Sequence, residues 1–181
     1  MLQRVISSAN LSNTIVIVTG DHGEEFYERG RLAHRGALND EQTRVPFILS
    51  IPGQQGREIA SLTSHLDVVP TLLEQLGVNV APQACGPGRS LLSGTPSDAV
   101  LVAMSRHASA TRWASVGNGG KVDFDFSAGS GFKLRAVTTL GDEPVRDFMN
   151  RPETASLWRQ AAAACGELSR CYRDAGGNDA R

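Results

Sequence analysis

No stretch of the 181 residues is long and apolar enough to cross a bilayer. The longest apolar runs, such as Ile15-Val-Ile-Val18, fall far short of the ~20 residues a span requires. Met1 is followed by a polar stretch rather than an apolar core, so no signal peptide is expected from this text. Charge of neither sign dominates: 18 Lys and Arg face 19 Asp and Glu, a net charge of −1. That balance gives no electrostatic handle for nucleic acid or an acidic membrane surface. Cysteine is scarce. Cys85, Cys165 and Cys171 form no metal-type Cys-x-x-Cys pair, and their odd number neither supports nor excludes export. No internal repeat is visible. What remains is 40% apolar and 20% charged residues, a globular composition that excludes disorder, collagen and a disulfide scaffold as the main state. The length suits one domain of ordinary size.

Leu2, Val5, Ile6 and Ala9 fall at helical spacing, so residues 1–10 read as the end of an amphipathic helix, followed by an Asn10-Leu-Ser-Asn13 turn. Thr14-Ile-Val-Ile-Val-Thr19 is β-branched throughout, which suggests a strand buried on both faces. Pro46-Phe-Ile-Leu-Ser-Ile51 reads as a second buried strand, its expected neighbour in a parallel sheet. Residues 63–77 read as a helix with Asp67 as N-cap, Pro70 in the first turn and Gly77 as its stop. Residues 79–97 read as a Gly/Pro/Ser loop. Beyond it the texture changes to four short strand-like runs, over 98–105, 111–116, 121–126 and 132–140. Val122, Phe124 and Phe126 alternate with Asp123 and Asp125, the pattern of a half-buried antiparallel strand. Asn118-Gly119-Gly120 is a hairpin turn. Residues 152–172 form a helix with Leu157, Ala161, Ala164 and Leu168 on one side, and the tail from Asp174 is polar.

The chemistry-bearing segment is Thr19-Gly-Asp-His-Gly-Glu-Glu-Phe26, directly after a strand. Ligands of open α/β sheets bind at the carboxyl ends of strands. A carboxylate and an imidazole, Asp21 and His22, suit Zn²⁺ or Mn²⁺, and His34 can return to the same place. Asp-His-Gly is also an ordinary turn. Glu24 and Glu25 could accept hydrogen bonds from His22, but solvated loop acids are the plainer expectation. Arg44 suits a structural salt bridge, His65 and Asp67 a helix start, and His107 has no evident partner.

The text Ile15-Val-Ile-Val-Thr-Gly-Asp-His-Gly-Glu-Glu-Phe26, then Ala33-His34, Glu41-Gln-Thr-Arg-Val-Pro-Phe47, Pro52-Gly53, Ser64-His-Leu-Asp-Val-Val-Pro-Thr-Leu-Leu73 and Gly88-Arg-Ser-Leu-Leu92 resembles, in order, the second half of the catalytic domain of the sulfatase/alkaline phosphatase superfamily. The resemblance covers residues 5–95. It implies an α/β fold: the C-terminal portion of an alkaline-phosphatase-like sheet with flanking helices over residues 1–95. A small antiparallel β subdomain with a closing helix and frayed tail would follow over 96–181. It implies Asp21 and His22 as ligands of a divalent ion (Zn, Mn, Ca or Mg) and His34 as a catalytic histidine near the second metal or the substrate. Asp-His tilts toward a phosphoryl-type site, though sulfatase-like relatives carry it too. The parent reaction would cleave or transfer a sulfate or phosphate ester through a covalent intermediate, commonly in a periplasmic, extracellular or membrane-anchored protein.

The family's nucleophile and further metal carboxylates belong upstream of the Asp-His strand, so the chain is expected to hold part of the metal site without the nucleophile. Cys85-Gly-Pro-Gly-Arg89 superficially matches the sulfatase signature Cys-x-Pro-x-Arg. Its fourth position is Gly where Ser, Thr or Ala is expected, and it follows the Asp-His-Gly it should precede. A two-stranded piece of sheet cannot cover itself, so association through an exposed sheet edge is expected. Two further readings stand beside the hydrolase: an interaction module or pseudoenzyme completed by a partner chain, and a metal-binding protein without esterase activity.

Overall fold

The computed structural model describes residues 2–34, 36–79, 88–94, 97–106, 110–127 and 131–174. It is a mixed α/β protein with antiparallel sheets and few helices. Contacts divide it into two compact units, Met1–Ala60 and Ser61–Arg181.

In the first unit, helix α1 (Leu2–Ser8) leads through a turn closed by Asn13 N donating to Asn10 O at 3.1 Å into strand β1 (Val16–Thr19). A two-residue hairpin, β2 (Glu25–Phe26) and β3 (Leu32–Ala33), precedes the single-turn helix α2 (Asp40–Thr43) and strand β4 (Phe47–Ser50). The two apolar runs are indeed neighbours, with Val16 opposite Ser50 and Thr19 opposite Phe47, but they pair antiparallel rather than parallel. A parallel return needs a crossover that carries the chain back to the strand's start, usually a helix. Here the connection holds only a short hairpin and one helical turn, so the chain enters β4 from the end at which β1 leaves. Nor is β1 buried on both faces. Val16, Ile17 and Val18 are half-buried, and β4 alternates, with Ile48 60% exposed. This two-stranded sheet has open edges among the described residues.

The second unit opens with a 3-10 turn (His65–Asp67) running into helix α3 (Val68–Gln75). The cap is Ser64 rather than Asp67. Ser64 Oγ accepts from Leu66 N at 3.2 Å, and Asp67 reaches back to Ser64 N at 2.7 Å, completing a capping box. Gly77, at φ 70°, closes α3: its N donates to Glu74 O and Val78 N donates to Leu73 O, the double bond pattern that satisfies the last helical carbonyls.

Four strands follow as an antiparallel meander: β5 (Ala99–Arg106), β6 (Ala110–Gly117), β7 (Gly120–Ser127) and β8 (Gly131–Thr138). Gly117 opposes Gly120 across the Asn118-Gly119 turn, as the Asn-Gly signal requires. The alternation in β7 sends Val122 and Phe124 fully inward, onto helix α4 (Pro152–Asp174) through Leu157, Ala161 and Cys165. Phe124 stacks on Phe132 at 4.4 Å, and Phe132 meets Trp158 edge-on at 4.4 Å. Cys165 was absent from the expected core face. Burial pushes its thiol up to about 11, so at neutral pH it is a protonated, apolar filler rather than a nucleophile. The side chains of Ala164 and Leu168, the tail beyond Asp174, His107 and Cys85 lie outside the described residues.

The outer side of the meander carries charge. Arg112 forks onto Asp123, and its guanidinium is held above its ordinary range by that hydrogen bond. Lys121, only 3% exposed, donates to Asp142 at 2.7 Å. Among the described residues no helix is long and apolar enough to cross a membrane.

Phe124 is 0% exposed at the centre of this core. Phe124→Ala should cost about 3–5 kcal/mol, read as a lower urea midpoint for the strands β5–β8 and helix α4; a change under about 1 kcal/mol would place the core elsewhere.

Candidate active site after the first strand

Four ionisable side chains gather where β1 ends. His22 and His34 lie face to face, ring centroids 4.0 Å apart and tilted by 35°. Asp21 Oδ2 stands 3.6 Å from His22 Nε2. His34 Nδ1 lies 3.2 Å from Glu24 Oε1. The structure thus brings together all three residues singled out in the sequence. It also corrects one expectation: Glu24 serves His34 and not His22.

The proton positions follow from the partners. His22 Nδ1 sits 2.8 Å from the carbonyl oxygen of Gly23, which can only accept, so Nδ1 carries a proton. His34 Nδ1 donates in the same way to the Glu24 carboxylate. With each Nδ1 so engaged, Nε2 is the ring nitrogen left to a ligand. A ring held through Nδ1–H by a carbonyl or carboxylate is the usual arrangement of a metal-binding or catalytic histidine. The Asp21 side chain is 90% exposed and open to a ligand arriving from outside.

These donors fit a divalent ion by chemistry and spacing. Two donors in a tetrahedral shell with bonds of about 2.1 Å sit about 3.4 Å apart, close to the 3.6 Å between Asp21 Oδ2 and His22 Nε2. They do not complete a shell: among the described residues no group of three or more His, Cys, Asp or Glu side chains could hold a metal ion alone.

The loop owes its shape to a close approach. Gly23 N donates to Gln42 O at 2.8 Å, and a Cβ on Gly23 would fall 2.1 Å from the Glu41 carbonyl oxygen. Only glycine lets the Asp-His turn lie directly on α2. Arg29 Nε, at the hairpin tip, reaches both oxygens of Glu41 at 3.2 Å. Tyr27 and Ala33 hold left-handed backbone, φ 73° and 75°, which side chains seldom adopt unless their surroundings impose it.

Glu25 overturns the expectation of a solvated loop acid. It is fully buried, and Oε2 accepts from Asn39 Nδ2 and Gln42 Nε2, each at 2.9 Å. The Asn39 hydrogen bond, helped by Gln42 and Arg31, holds its carboxyl below the ordinary range against the opposing effect of burial. No signal in Asn39-Asp-Glu-Gln42 distinguishes these amides from surface residues, since two amides three apart in a short helix are commonplace.

Other candidates take structural roles. Arg44 makes a surface pair with Asp40 at 3.8 Å, worth little. His65 is exposed in the 3-10 turn. Asp67 is buried, its Oδ1 accepting from Arg89 N at 2.8 Å, while Leu91 N donates to Thr71 Oγ1 at 2.9 Å. A Cβ on Gly88 would meet Leu66 O at 1.9 Å. Gly88 and Arg89, the end of the false nucleophile signature, therefore brace the start of α3.

An Asp-His turn at a strand end, beside a second histidine held by a carboxylate, is an arrangement suited to holding a divalent ion. The Sulfatase family model matches residues 1–78. The chain is 30% identical over 95 residues to the uncharacterized sulfatase YidJ of Escherichia coli K12, spanning 52% of this chain and 19% of that protein. It is 32% identical over 90 residues to the Delta 4,5-hexuronate-2-O-sulfatase of Bacteroides thetaiotaomicron, spanning 48% and 19%. The solved structure of a 2-O GAG sulfatase shares the fold at TM-score 0.63 and 20% identity, over 96% of this chain and 40% of that one. These likenesses support a sulfatase-superfamily fragment, and the chain spans about a fifth of the length of these curated relatives.

Two measurements check this geometry. Gly23→Ala should break the contact with α2, seen as lost hydrogen-exchange protection at amide 23; retained protection would contradict it. Because the native Glu25 pKa lies below its ordinary 4.5, its stabilisation is present above about pH 4.5 and lost as pH falls through the lowered value. The gap in thermal midpoint between wild type and Glu25→Gln should therefore shrink between about pH 7 and pH 3; a constant gap would argue against an ionised Glu25.

Proposed function

We propose that the chain carries part of the active site of a metal-dependent sulfatase that cleaves sulfate esters. Asp21 and His22 would donate to a divalent ion (Zn, Mn, Ca or Mg), and His34 would face the ester. The observation that carries the reading is the His22–His34 pair, 4.0 Å apart with each Nδ1 committed to its own acceptor, inside the segment matched by the Sulfatase family.

When bound, such an ion polarises the ester oxygens and lowers the pKa of an attacking hydroxyl. The chain's residues do the rest of the positioning. Glu24 orients His34 through Nδ1–H, leaving Nε2 to hydrogen-bond an ester oxygen or, when protonated, to deliver a proton to the leaving oxygen. Gly23 keeps the turn flat against α2, so nothing crowds the approach to Asp21. The sulfatase relatives favour a sulfate over a phosphate ester. The covalent nucleophile and remaining carboxylate ligands would come from the part of the sulfatase fold this chain does not span. Residues 1–95 would belong to the catalytic domain and 96–181 to its C-terminal antiparallel subdomain.

The test is Mn²⁺ and Zn²⁺ titration alongside turnover of 4-nitrophenyl sulfate and 4-nitrophenyl phosphate. The chain alone should bind metal weakly, lose that binding in Asp21→Ala and in His22→Ala, and turn over neither ester. Turnover of the sulfate should return when the rest of the catalytic domain is supplied, because a missing nucleophile forfeits several orders of magnitude in rate. Metal binding indifferent to both substitutions would overturn the site, and turnover abolished by Cys85→Ala would overturn the placement of the nucleophile.

A further inference from the structure

We propose that Glu25 is a positioning residue of this site: from its buried place between hairpin and helix it sets the separation of the His22 and His34 rings. The proposal rests on the reading that those two histidines face the metal and the ester.

Glu25 lies three residues after His22 and, by register, directly opposite Ala33, the residue before His34. Its side chain is the most deeply buried ionisable group among the described residues of the first unit, at 0% exposure. It is clasped by Asn39, which precedes α2, and Gln42, which lies within it. The same short helix takes Gly23 N through Gln42 O and Arg29 through Glu41. The loop bearing His22 and the hairpin leading to His34 are thus moored to one block, and Glu25 is the mooring between them.

The chemistry chosen for that place is the informative part. A hairpin could be held on a helix by an apolar side chain without taking a charge out of water. An apolar contact tolerates sliding, whereas a carboxylate oxygen shared by two amide N–H groups fixes direction and distance. That precision is what two rings 4.0 Å apart need: His22 is tied to Gly23 on its own segment, and the bond that joins the two segments at the rings, His34 Nδ1 to Glu24, ends on a half-exposed carboxylate. Left-handed backbone at Tyr27, where the tip begins, and at Ala33, opposite Glu25 in the hairpin, also has to be imposed by its surroundings.

The experiment uses the full chain with ¹⁵N-labelled histidine. It reads the His22–His34 ring contact by nuclear Overhauser effect and the affinity for Co²⁺ by titration. Wild type should show the contact. Glu25→Gln keeps the shape and one acceptor oxygen but removes the charge that strengthens both amide hydrogen bonds, and it sets an NH2 donor where Oε1 now lies buried without a hydrogen-bond partner. It should lose the contact and weaken Co²⁺ binding about tenfold or more, while amides of β1 and β4 keep their native shifts. Glu25→Gln combined with Gln42→Glu exchanges the carboxylate and amide ends of the same bond and should restore both readouts, which a general loss of stability would not. If the single variant does not fold, Gln42→Ala, which removes one donor only, should move both readouts in the same direction by less. A folded Glu25→Gln or Gln42→Ala with contact and affinity intact would overturn the proposal, as would a double variant with no recovery or a wild type without the ring contact. A wild type with the contact but no Co²⁺ binding would instead sink the metal reading, and the ring contact alone would then decide the role of Glu25.

Discussion

The candidate site hangs on one buried oxygen. Glu25 Oε2 receives the side-chain amides of Asn39 and Gln42 and so joins two pieces of chain, the hairpin and α2 with its cap, that have little apolar surface to hold them together. The connection between β1 and β4 is polar and short of regular structure, with two-residue strands and a one-turn helix. Such a segment cannot be ordered by a hydrophobic core of its own, and a polar network with its donors satisfied is the physical alternative. Gly23 against the Glu41 carbonyl and Arg29 on the Glu41 carboxylate extend the same mooring on either side. The histidines inherit their geometry from it.

The second unit is held by the opposite means. Val122, Phe124, Val137, Leu157, Ala161 and Cys165 form a continuous apolar core between one face of the meander and α4, and the charges of the outer side are paired across strands or, for Lys121, with Asp142 in the turn after β8. Its contribution is scaffold. Asp67 and Thr71 tie the Gly88–Leu91 stretch to the start of α3 through backbone N–H groups, which explains why a string resembling a sulfatase nucleophile signature ends in residues with structural duties. The chain shares a fold with a solved sulfatase over 96% of its length, while the family's sequence match is confined to the first 78 residues. The site-bearing part is recognisable by its motifs, and the remainder only by its shape, because a covered antiparallel sheet asks for alternation and turns rather than for particular side chains.

What could be read from sequence followed local rules. The Asn-Gly turn, the period-two pattern of β7, the helical face of Leu157 and Ala161 and the glycine that ends α3 each depend on residues within a few positions of one another. The same holds for the Asp21-His22 pair, since a strand followed by Gly-Asp-His-Gly is a local statement. What only tertiary structure decided was long-range. The pairing of β1 with β4 turned out antiparallel because of what the intervening chain could build, and Val16–Val18 were left half-covered rather than enclosed. Glu24 went to His34, ten residues away, rather than to its neighbour His22. Adjacent Glu24 and Glu25 met opposite fates, one half-exposed beside a histidine and the other wholly buried. No local pattern separates two consecutive glutamates; the amides of Asn39 and Gln42 do, and they are brought to one of them only when the chain has folded back on itself.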